Sequence, residues 1–194
     1  MIKRCRNGIY TWLPLLAFIA FFQGSERVLA QPPEGRFEAG AQIVGIRFAG
    51  LEEGAAGVGL NAGWKFNRWL TAETAFARMP ENPSGNFGQT LIASGLRAGL
   101  SFSSMELAVK ARPGGIHFGG DVFRAFNPDV RWKPSVDVGG VLLYHRSPRL
   151  AFRIDAGDLL IFYGSSVIAT PLQPGRKLGA THNRQIAVGI QLRL

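Results

Sequence analysis

Two residue types used in nucleophilic catalysis stand close together in the second half of the chain. His145 and Ser147 are separated only by Arg146, so a base and a hydroxyl are near neighbours. Such catalysis requires the hydroxyl to contact a base that a third group orients. Pro148 follows directly, and the segment joins two predicted strands, which favours a tight turn. We therefore interpret the pair as part of a turn and predict no catalytic residue.

The other histidines and a nearby pair of carboxylates are weak candidates for chemistry. His117 and His182 fall in predicted loops, and two histidines without an assigned carboxylate make a poor metal site. Asp155 and Asp158 are three positions apart, which places them on opposite faces of a regular strand and separates them as an acid–base pair. The sequence therefore predicts no metal, no cofactor and no enzymatic activity.

Charges of both signs recur in the middle of predicted strands, on the face that otherwise carries small or polar residues. A buried charge must be paired, so an enclosed face of this kind requires acids to meet bases. We expect these residues to form a charge network inside the fold. Its predicted members are Glu38, Glu73, Arg97, Lys110, Arg112, Asp137, Arg153, Asp155 and Arg193.

The segment Asn183–Leu194 shows most clearly the element that positions these charges. Every second residue from Ile186 to Leu194 is apolar, whereas the residues between them, from Gln185 to Arg193, are small or polar. Successive side chains of a strand point to opposite faces, so this strand has one apolar and one polar face. Transmembrane barrel strands alternate in this way because one face meets lipid.

Seven earlier segments repeat the alternation, and turn residues separate them. We predict an all-β fold, an eight-stranded antiparallel up-and-down transmembrane barrel. The predicted strands are Phe37–Phe48, Gly57–Phe66, Trp69–Arg78, Thr90–Phe102, Met105–Arg112, Ser135–His145, Arg149–Phe162 and Asn183–Leu194.

The lengths of the connections favour a membrane barrel over a soluble one. Connections after the second, fourth and sixth predicted strands are tight, and the others are longer, including Leu51–Ala56, Pro113–Lys133 and Tyr163–His182. Membrane barrels have short periplasmic turns and longer outer loops. A lipocalin-like barrel would enclose the apolar face instead, and the strand pattern alone does not exclude it.

The first 30 residues predict a cleavable signal peptide, which leaves residues 31–194 as the barrel domain. A basic segment precedes the apolar run Leu13–Phe22, and a small-residue cleavage pattern ends at Ala30. The run is shorter than the roughly 20 residues of a spanning helix. Cys5, the single cysteine, lies in this segment, so no disulfide or thiolate metal site is expected.

The charge of the chain gives no indication of a nucleic-acid partner. Residues 1–30 hold four of the 22 basic and one of the 13 acidic residues, so the remainder carries a net charge of +6. An exported chain without a basic run or a basic patch interleaved with aromatics does not fit nucleic-acid binding.

The chain resembles the small OmpA-like eight-stranded outer-membrane β-barrels over essentially all of Phe37–Leu194. The residues that carry the resemblance are Gly57–Asn67 running into Leu70–Glu73, Lys110–Gly114, Asp155–Asp158 and His182-Asn183. Such chains usually end on an aromatic residue, whereas this one ends on Leu194 with the apolar spacing kept. The resemblance implies a barrel in the outer membrane of a diderm bacterium, with both termini in the periplasm.

The resemblance also implies a role and a set of partners. The role is structural or concerns surface interactions, with a lumen filled by side chains. The expected partners are outer-membrane lipid and lipopolysaccharide, the outer-membrane insertion machinery and periplasmic chaperones, and the barrel is expected to be a monomer. The predicted interfacial aromatic girdle comprises Trp64, Phe66, Trp69, Phe102 and Tyr144.

Three alternatives remain at this point. One is a narrow porin-like channel for ions or small solutes, and another is a soluble periplasmic lipocalin-like barrel that binds a ligand. The third is an enzyme, because an outer-membrane lipid A deacylase uses a His-x-Ser pair that the spacing of His145 and Ser147 matches. That pair lies in a predicted periplasmic turn, however, whereas the lipid is in the outer leaflet.

Overall fold

The computed structural model describes residues 36–49, 53–81, 88–119, 131–170 and 173–194. The predicted signal peptide, residues 1–30, lies outside the described residues. The strands are β1 Phe37–Phe48, β2 Glu53–Lys65, β3 Leu70–Met79, β4 Gly88–Phe102, β5 Met105–Gly119, β6 Trp132–His145, β7 Leu150–Thr170 and β8 Gln173–Arg193. No helix in these ranges is long and apolar enough to cross a membrane.

The eight strands form a closed antiparallel barrel in which each strand pairs with its sequence neighbours. The barrel closes between β1 and β8, where the register runs from Glu38 opposite Arg193 to Arg47 opposite Arg184. Closure leaves no unpaired sheet edge. The predicted fold class is therefore confirmed.

Side-chain hydrogen bonds hold two of the tight turns. Asn67 Oδ1 accepts from the backbone N–H groups of Trp69 and Leu70 at 3.0 and 2.8 Å. Ser147 Oγ accepts from the backbone N–H of Leu150 at 3.1 Å. The two chain ends of the barrel and these turns share one end of the molecule, which we call the turn end. The opposite end, where β7 joins β8, is the hairpin end.

Strand β5 extends well beyond its predicted end at Arg112. It continues through the exposed Pro113, which lies opposite Val136 of β6, and ends at Gly119. On the β4 side, the pairing passes from Ala93 opposite Gly114 to Leu96 opposite Ala111, so the ladder is interrupted around the proline. Proline lacks an N–H, and the strand accommodates it where the β4 ladder is open. The predicted loop Pro113–Lys133 is thus wrong at both ends, because β6 also begins inside it, at Trp132.

The last two strands form a long hairpin where a loop, Tyr163–His182, was predicted. Strand β7 continues to Thr170 and β8 begins at Gln173, so His182 also lies in a strand. Gly164 and Gly179 face each other across this hairpin, and both have positive φ, at 65° and 63°. Glycine adopts that conformation without steric cost, and the register shifts beside Gly164.

The predicted alternation of connection lengths holds only in part. The β3–β4 and β5–β6 connections, residues 80–87 and 120–131, are long. The β1–β2 connection, residues 49–52, is as short as the β2–β3 turn, residues 66–69, and β2 begins at Glu53 inside the predicted loop Leu51–Ala56. The β7–β8 connection, residues 171–172, is shorter still, although it was predicted to be long. The part of the chain at the hairpin end therefore consists of long strands as well as long loops.

The exterior of the barrel is apolar. Val58, Leu60 and Val109 are 66%, 60% and 66% exposed, and the outward residues of β8 from Ile186 to Leu194 are exposed as the alternation predicts. The predicted girdle residues Trp64, Phe66, Trp69, Phe102 and Tyr144 are all exposed near the turn end. A water-soluble barrel would present the opposite polarity, with apolar side chains inside.

Candidate functional site

The lumen contains a charge network that reaches every strand of the barrel. All nine residues predicted from alternation point into the lumen, and all except Arg193 are buried. The structure brings each of them into an ion pair with another member. The network has three clusters of contacts, which centre on Glu73, on Glu38 and on the pair Asp137 and Asp155.

Glu73 on β3 is the acid with the most arginine contacts. Arg153 donates to it through Nη1 at 2.6 Å and Nη2 at 2.8 Å, and Arg97 donates through Nη1 at 3.0 Å. Arg112 also hydrogen-bonds to Glu73. One carboxylate thus joins arginines from β4, β5 and β7 across the lumen. Charge-assisted bonds of this kind are stronger than neutral ones.

Glu38 on β1 spans the closure of the barrel. Arg193 Nε of β8 donates to Glu38 Oε1 at 3.2 Å, and Gln191 of the same strand also donates to this carboxylate. Arg97 Nη2 reaches Glu38 Oε2 at 2.5 Å, and Lys65 Nζ lies 3.7 Å from Oε1. The first strand is therefore tied to the last through side chains as well as through the backbone.

Asp137 and Asp155 form the third cluster with Lys110 of β5. Lys110 Nζ lies 3.1 Å from an oxygen of each aspartate. Arg112 also binds Asp137, through Nε at 3.1 Å and through Nη2. Arg153 Nε donates to Asp155 Oδ1 at 2.7 Å. This cluster fixes β5, β6 and β7 to one another.

Two further members of the network, Lys65 and Glu106, were absent from the predicted set. Glu106 lies 3.2 Å from Lys65 Nζ, 3.5 Å from Arg97 Nη2 and 3.3 Å from Arg193 Nη2. Both residues have the inward parity of their strands, so alternation alone would have identified them. Within the described residues the network thus contains five acids and six bases.

Towards the hairpin end the inward side chains are mainly apolar, with the buried Gln89 and Asn183 among them, and this layer was not predicted from the sequence. Beyond the charges, the inward positions of the strands carry hydrophobic side chains that pack into one buried cluster. We call this cluster the apolar layer. Its larger members are Val44, Ile46, Phe48, Met79, Leu91, Ile116, Phe118, Leu159, Ile161 and Tyr163. The lumen is therefore filled by a charged layer at the turn end and by an apolar layer above it.

The residues first considered for chemistry are not assembled into a catalytic site. Ser147 Oγ is engaged in its turn, whereas His145 Nε2 lies 3.2 Å from Arg193 Nη2 and 3.9 Å from Glu106. Asp155 is in the lumen and Asp158 is on the outside, as predicted, and Asp158 Oδ2 contacts His182 Nδ1 at 2.5 Å.

The predicted loop position of His117 is wrong, because this residue lies in β5. Its ring packs against Trp132 with a centroid separation of 5.1 Å. Among the residues that the structure describes, no group of three or more histidine, cysteine, aspartate or glutamate side chains could hold a metal ion.

Solved structures with a similar fold include outer-membrane barrels. The N-terminal β-barrel domain of Pseudomonas aeruginosa OprF matches with a TM-score of 0.55 and 10% identity, over 83% of this chain and 100% of that one. The chain has the fold of the small outer-membrane β-barrels. Neisserial surface protein A is also similar, with a TM-score of 0.48 and 14% identity, over 81% of this chain and 96% of that one. No protein-family model and no curated protein sequence matches.

Proposed function

We propose that the protein is a non-catalytic barrel of the outer membrane with a structural or surface-interaction role. The observation that supports this role is the inverted polarity of the fold. An apolar exterior surrounds a lumen filled with paired charges at one end and hydrophobic side chains at the other. The exterior suits lipid, and the filled lumen suits a wall element better than a conduit.

The orientation follows from the two ends of the barrel. Short connections and chain ends face the periplasm in outer-membrane barrels, and longer ones face outwards. The turn end would then be periplasmic, and the extended β5–β6 and β7–β8 hairpins would project from the cell. Surface contacts would be made by these hairpins. The partners in this proposal are lipopolysaccharide and other outer-membrane lipid, the insertion machinery and periplasmic chaperones, with the barrel as a monomer.

A channel is the alternative that the test must separate from this role. Ions would have to cross both the charged layer and the apolar layer, in which Met79, Ile116 and Phe118 are at most 1% exposed. Hydrophobic constrictions block ions when they are dry. We therefore expect no current through the intact barrel. Replacing Arg97 or Arg112 by a small residue would widen the lumen only in the charged layer.

The test uses the chain from residue 31, refolded in detergent. We expect a mobility shift on boiling before electrophoresis, because a closed barrel has no edge from which to unfold in SDS. In planar bilayers we expect no ionic current from the wild type or from the Arg97→Ser variant. Steady unitary currents that change with Arg97→Ser would favour the channel. Extraction from cells without detergent, together with no mobility shift, would favour the soluble barrel.

The absence of catalysis is tested separately at Ser147. We expect cells that express the Ser147→Ala variant and cells that express the wild type to have identical lipid A profiles by mass spectrometry. A deacylated species that appears with the wild type and disappears with Ser147→Ala would contradict the proposed role. Thr71→Ala serves as a matched control, because it removes a hydroxyl elsewhere in the barrel.

A further inference from the structure

Two arginines face each other on the outside of the barrel, at the strand pair that closes it. Arg47 of β1 lies directly opposite Arg184 of β8, and both side chains are exposed. Directly opposite side chains have Cβ atoms about 4.5–5.5 Å apart, and like charges in this arrangement destabilise a sheet. The pair thus has an electrostatic cost that a bound anion would remove.

Neither arginine has an acidic partner within the part of the chain that the structure describes. Asp158 lies opposite Arg184 on β7, where its Oδ2 contacts His182 Nδ1 at 2.5 Å and its Oδ1 has no hydrogen-bond partner within the described residues, so it forms no ion pair with Arg184. The network acids are all inside the barrel, and the sheet separates them from this surface. By contrast Arg78, another exposed arginine, donates to Thr90 Oγ1 at 2.6 Å. Both arginine side chains are therefore exposed and, within the described residues, form no ion pair.

A groove lies beside the two arginines. Gly45 is the outward-facing residue of β1 next to Arg47. It lies between Ala56 of β2 and Ile186 of β8, and Gly54 of β2 lies opposite Arg47. These two glycines are not required by the packing of the barrel. A Cβ at Gly45 would meet only Ile186, at 3.7 Å or more, and one at Gly54 would meet a single atom at 3.9 Å. Small residues here keep the groove open beside the charges.

The position of this feature matches the outer boundary of the apolar belt. Along β1 the outward positions from Phe37 to Gly45 are apolar or small, and Arg47 is the next outward residue. Ten residues at about 3.4 Å per residue, tilted by about 40°, span roughly 26 Å along the barrel axis. The apolar belt of outer-membrane barrels is about 25 Å tall. Arg47 and Arg184 are therefore at the depth of the head groups of one leaflet.

We propose that Arg47 and Arg184 bind the phosphate of a phosphorylated lipid, with an acyl chain of that lipid in the groove at Gly45. Guanidinium groups bind phosphate through paired hydrogen bonds, and two of them on one side would hold one phosphate between them. The site rests on the proposed membrane location and names the lipid contact within it. A lipid is favoured over free phosphate because the groove beside the arginines is lined by Gly45, Ala56 and Ile186, which lie on the side of the apolar belt.

The probe for this site is lipid A that carries its phosphates, compared with dephosphorylated lipid A. Both are titrated onto the refolded barrel in a neutral detergent, and bound lipid is counted by native mass spectrometry. We expect the wild type to prefer the phosphorylated form. The double variant Arg47→Gln, Arg184→Gln should lose that preference, with affinity for the phosphorylated form falling about tenfold for each arginine.

Two matched variants separate a built site from general electrostatics. Arg68→Gln with Arg149→Gln removes two exposed arginines at the turn end and should leave the preference unchanged. Gly45→Val keeps both arginines but fills the groove, and it should weaken lipid binding without affecting any competition by inorganic phosphate. Equal losses in the two double variants would overturn the site.

The controls also separate the two proposals from each other. Inorganic phosphate that displaces the lipid at an affinity equal to that of the lipid would overturn the lipid assignment, since the groove would then contribute nothing. Each variant is first checked for the mobility shift on boiling. A wild type that lacks this shift contradicts the proposed function, whereas a shifted barrel without lipid preference contradicts only the site at Arg47 and Arg184.

Discussion

The substitution Glu73→Gln tests whether the charge network holds the barrel together. Glutamine keeps the shape of the side chain but removes the charge that Arg97, Arg112 and Arg153 share. Removing one partner of a buried ion pair costs about 3–5 kcal/mol, because it leaves the other charge uncompensated. Glutamine retains one acceptor oxygen, so we expect a loss near the lower end of this range, about 3 kcal/mol.

Unfolding by urea in detergent micelles measures this loss. The folded fraction is followed from the unboiled gel band and from tryptophan fluorescence. With an m value of about 2 kcal/mol/M, a loss of about 3 kcal/mol lowers the midpoint by roughly 1.5 M. Glu81→Gln is the matched control, because it removes an exposed acid outside the lumen. We expect the control to change the free energy of unfolding by less than about 0.5 kcal/mol.

The double variant Glu73→Gln, Arg97→Gln strengthens the test. It removes one charge of each sign, so it should destabilise the barrel by less than the sum of the two single variants, with a coupling of about 1 kcal/mol or more. Additive effects, or a change below about 1 kcal/mol for Glu73→Gln alone, would refute the argument that these contacts stabilise the barrel.

Two further predictions use the same unfolding measurement. Gly139→Ala should destabilise the barrel by about 1–3 kcal/mol, because its Cβ would lie 2.3 Å from the carbonyl oxygen of Ala156. A Cβ at the neighbouring Gly140 would meet only one atom, at 3.9 Å, so Gly140→Ala should change the free energy of unfolding by less than about 0.5 kcal/mol. Equal losses in the two variants would contradict this prediction. Phe118→Ala should cost about 3–5 kcal/mol through a cavity in the apolar layer, and the exposed Phe102→Ala clearly less, so a larger loss at Phe102 would count against a packed layer.

Alternation of residue types was sufficient to predict most of the barrel. The bounds of β1 and the inward parity of all nine predicted charges follow directly from a period of two, because a strand cannot present both kinds of residue on one face. Turn positions followed from Asn67 and from the Ser147-Pro148 pair. Lys65 and Glu106 had the same parity and could have been included.

The errors arose where a local signal was overridden by the closed sheet. Pro113 suggested the end of a strand, but pairing with β6 carries β5 past it, and the sequence does not reveal which ladder is open. The predicted loop Tyr163–His182 is wrong because β7 and β8 continue through it as a hairpin, in which Gly164 and Gly179 face each other with positive φ.

The apolar layer was missed for a different reason. Near the hairpin end both faces of the strands carry hydrophobic residues, so alternation no longer separates inside from outside. Phe118, for example, fell in a predicted loop, and Val44 shares the inward parity of Glu38 but stands beside the equally apolar Ile43. Their depth along the barrel depends on the stagger of the strands, which a single sequence does not specify.

The contacts of Glu38 across the β1–β8 closure bear on how this barrel selects one strand alignment. Apolar alternation penalises a slip by one residue, which would turn every side chain to the wrong face, but it is indifferent to a slip by two. A two-residue slip would displace Glu38 by about 6.8 Å along β8 and away from Arg193 and Gln191. The charges thus distinguish alignments that the hydrophobic pattern leaves equivalent, and misaligned closures would keep their lipid-facing surface but leave buried ions without partners.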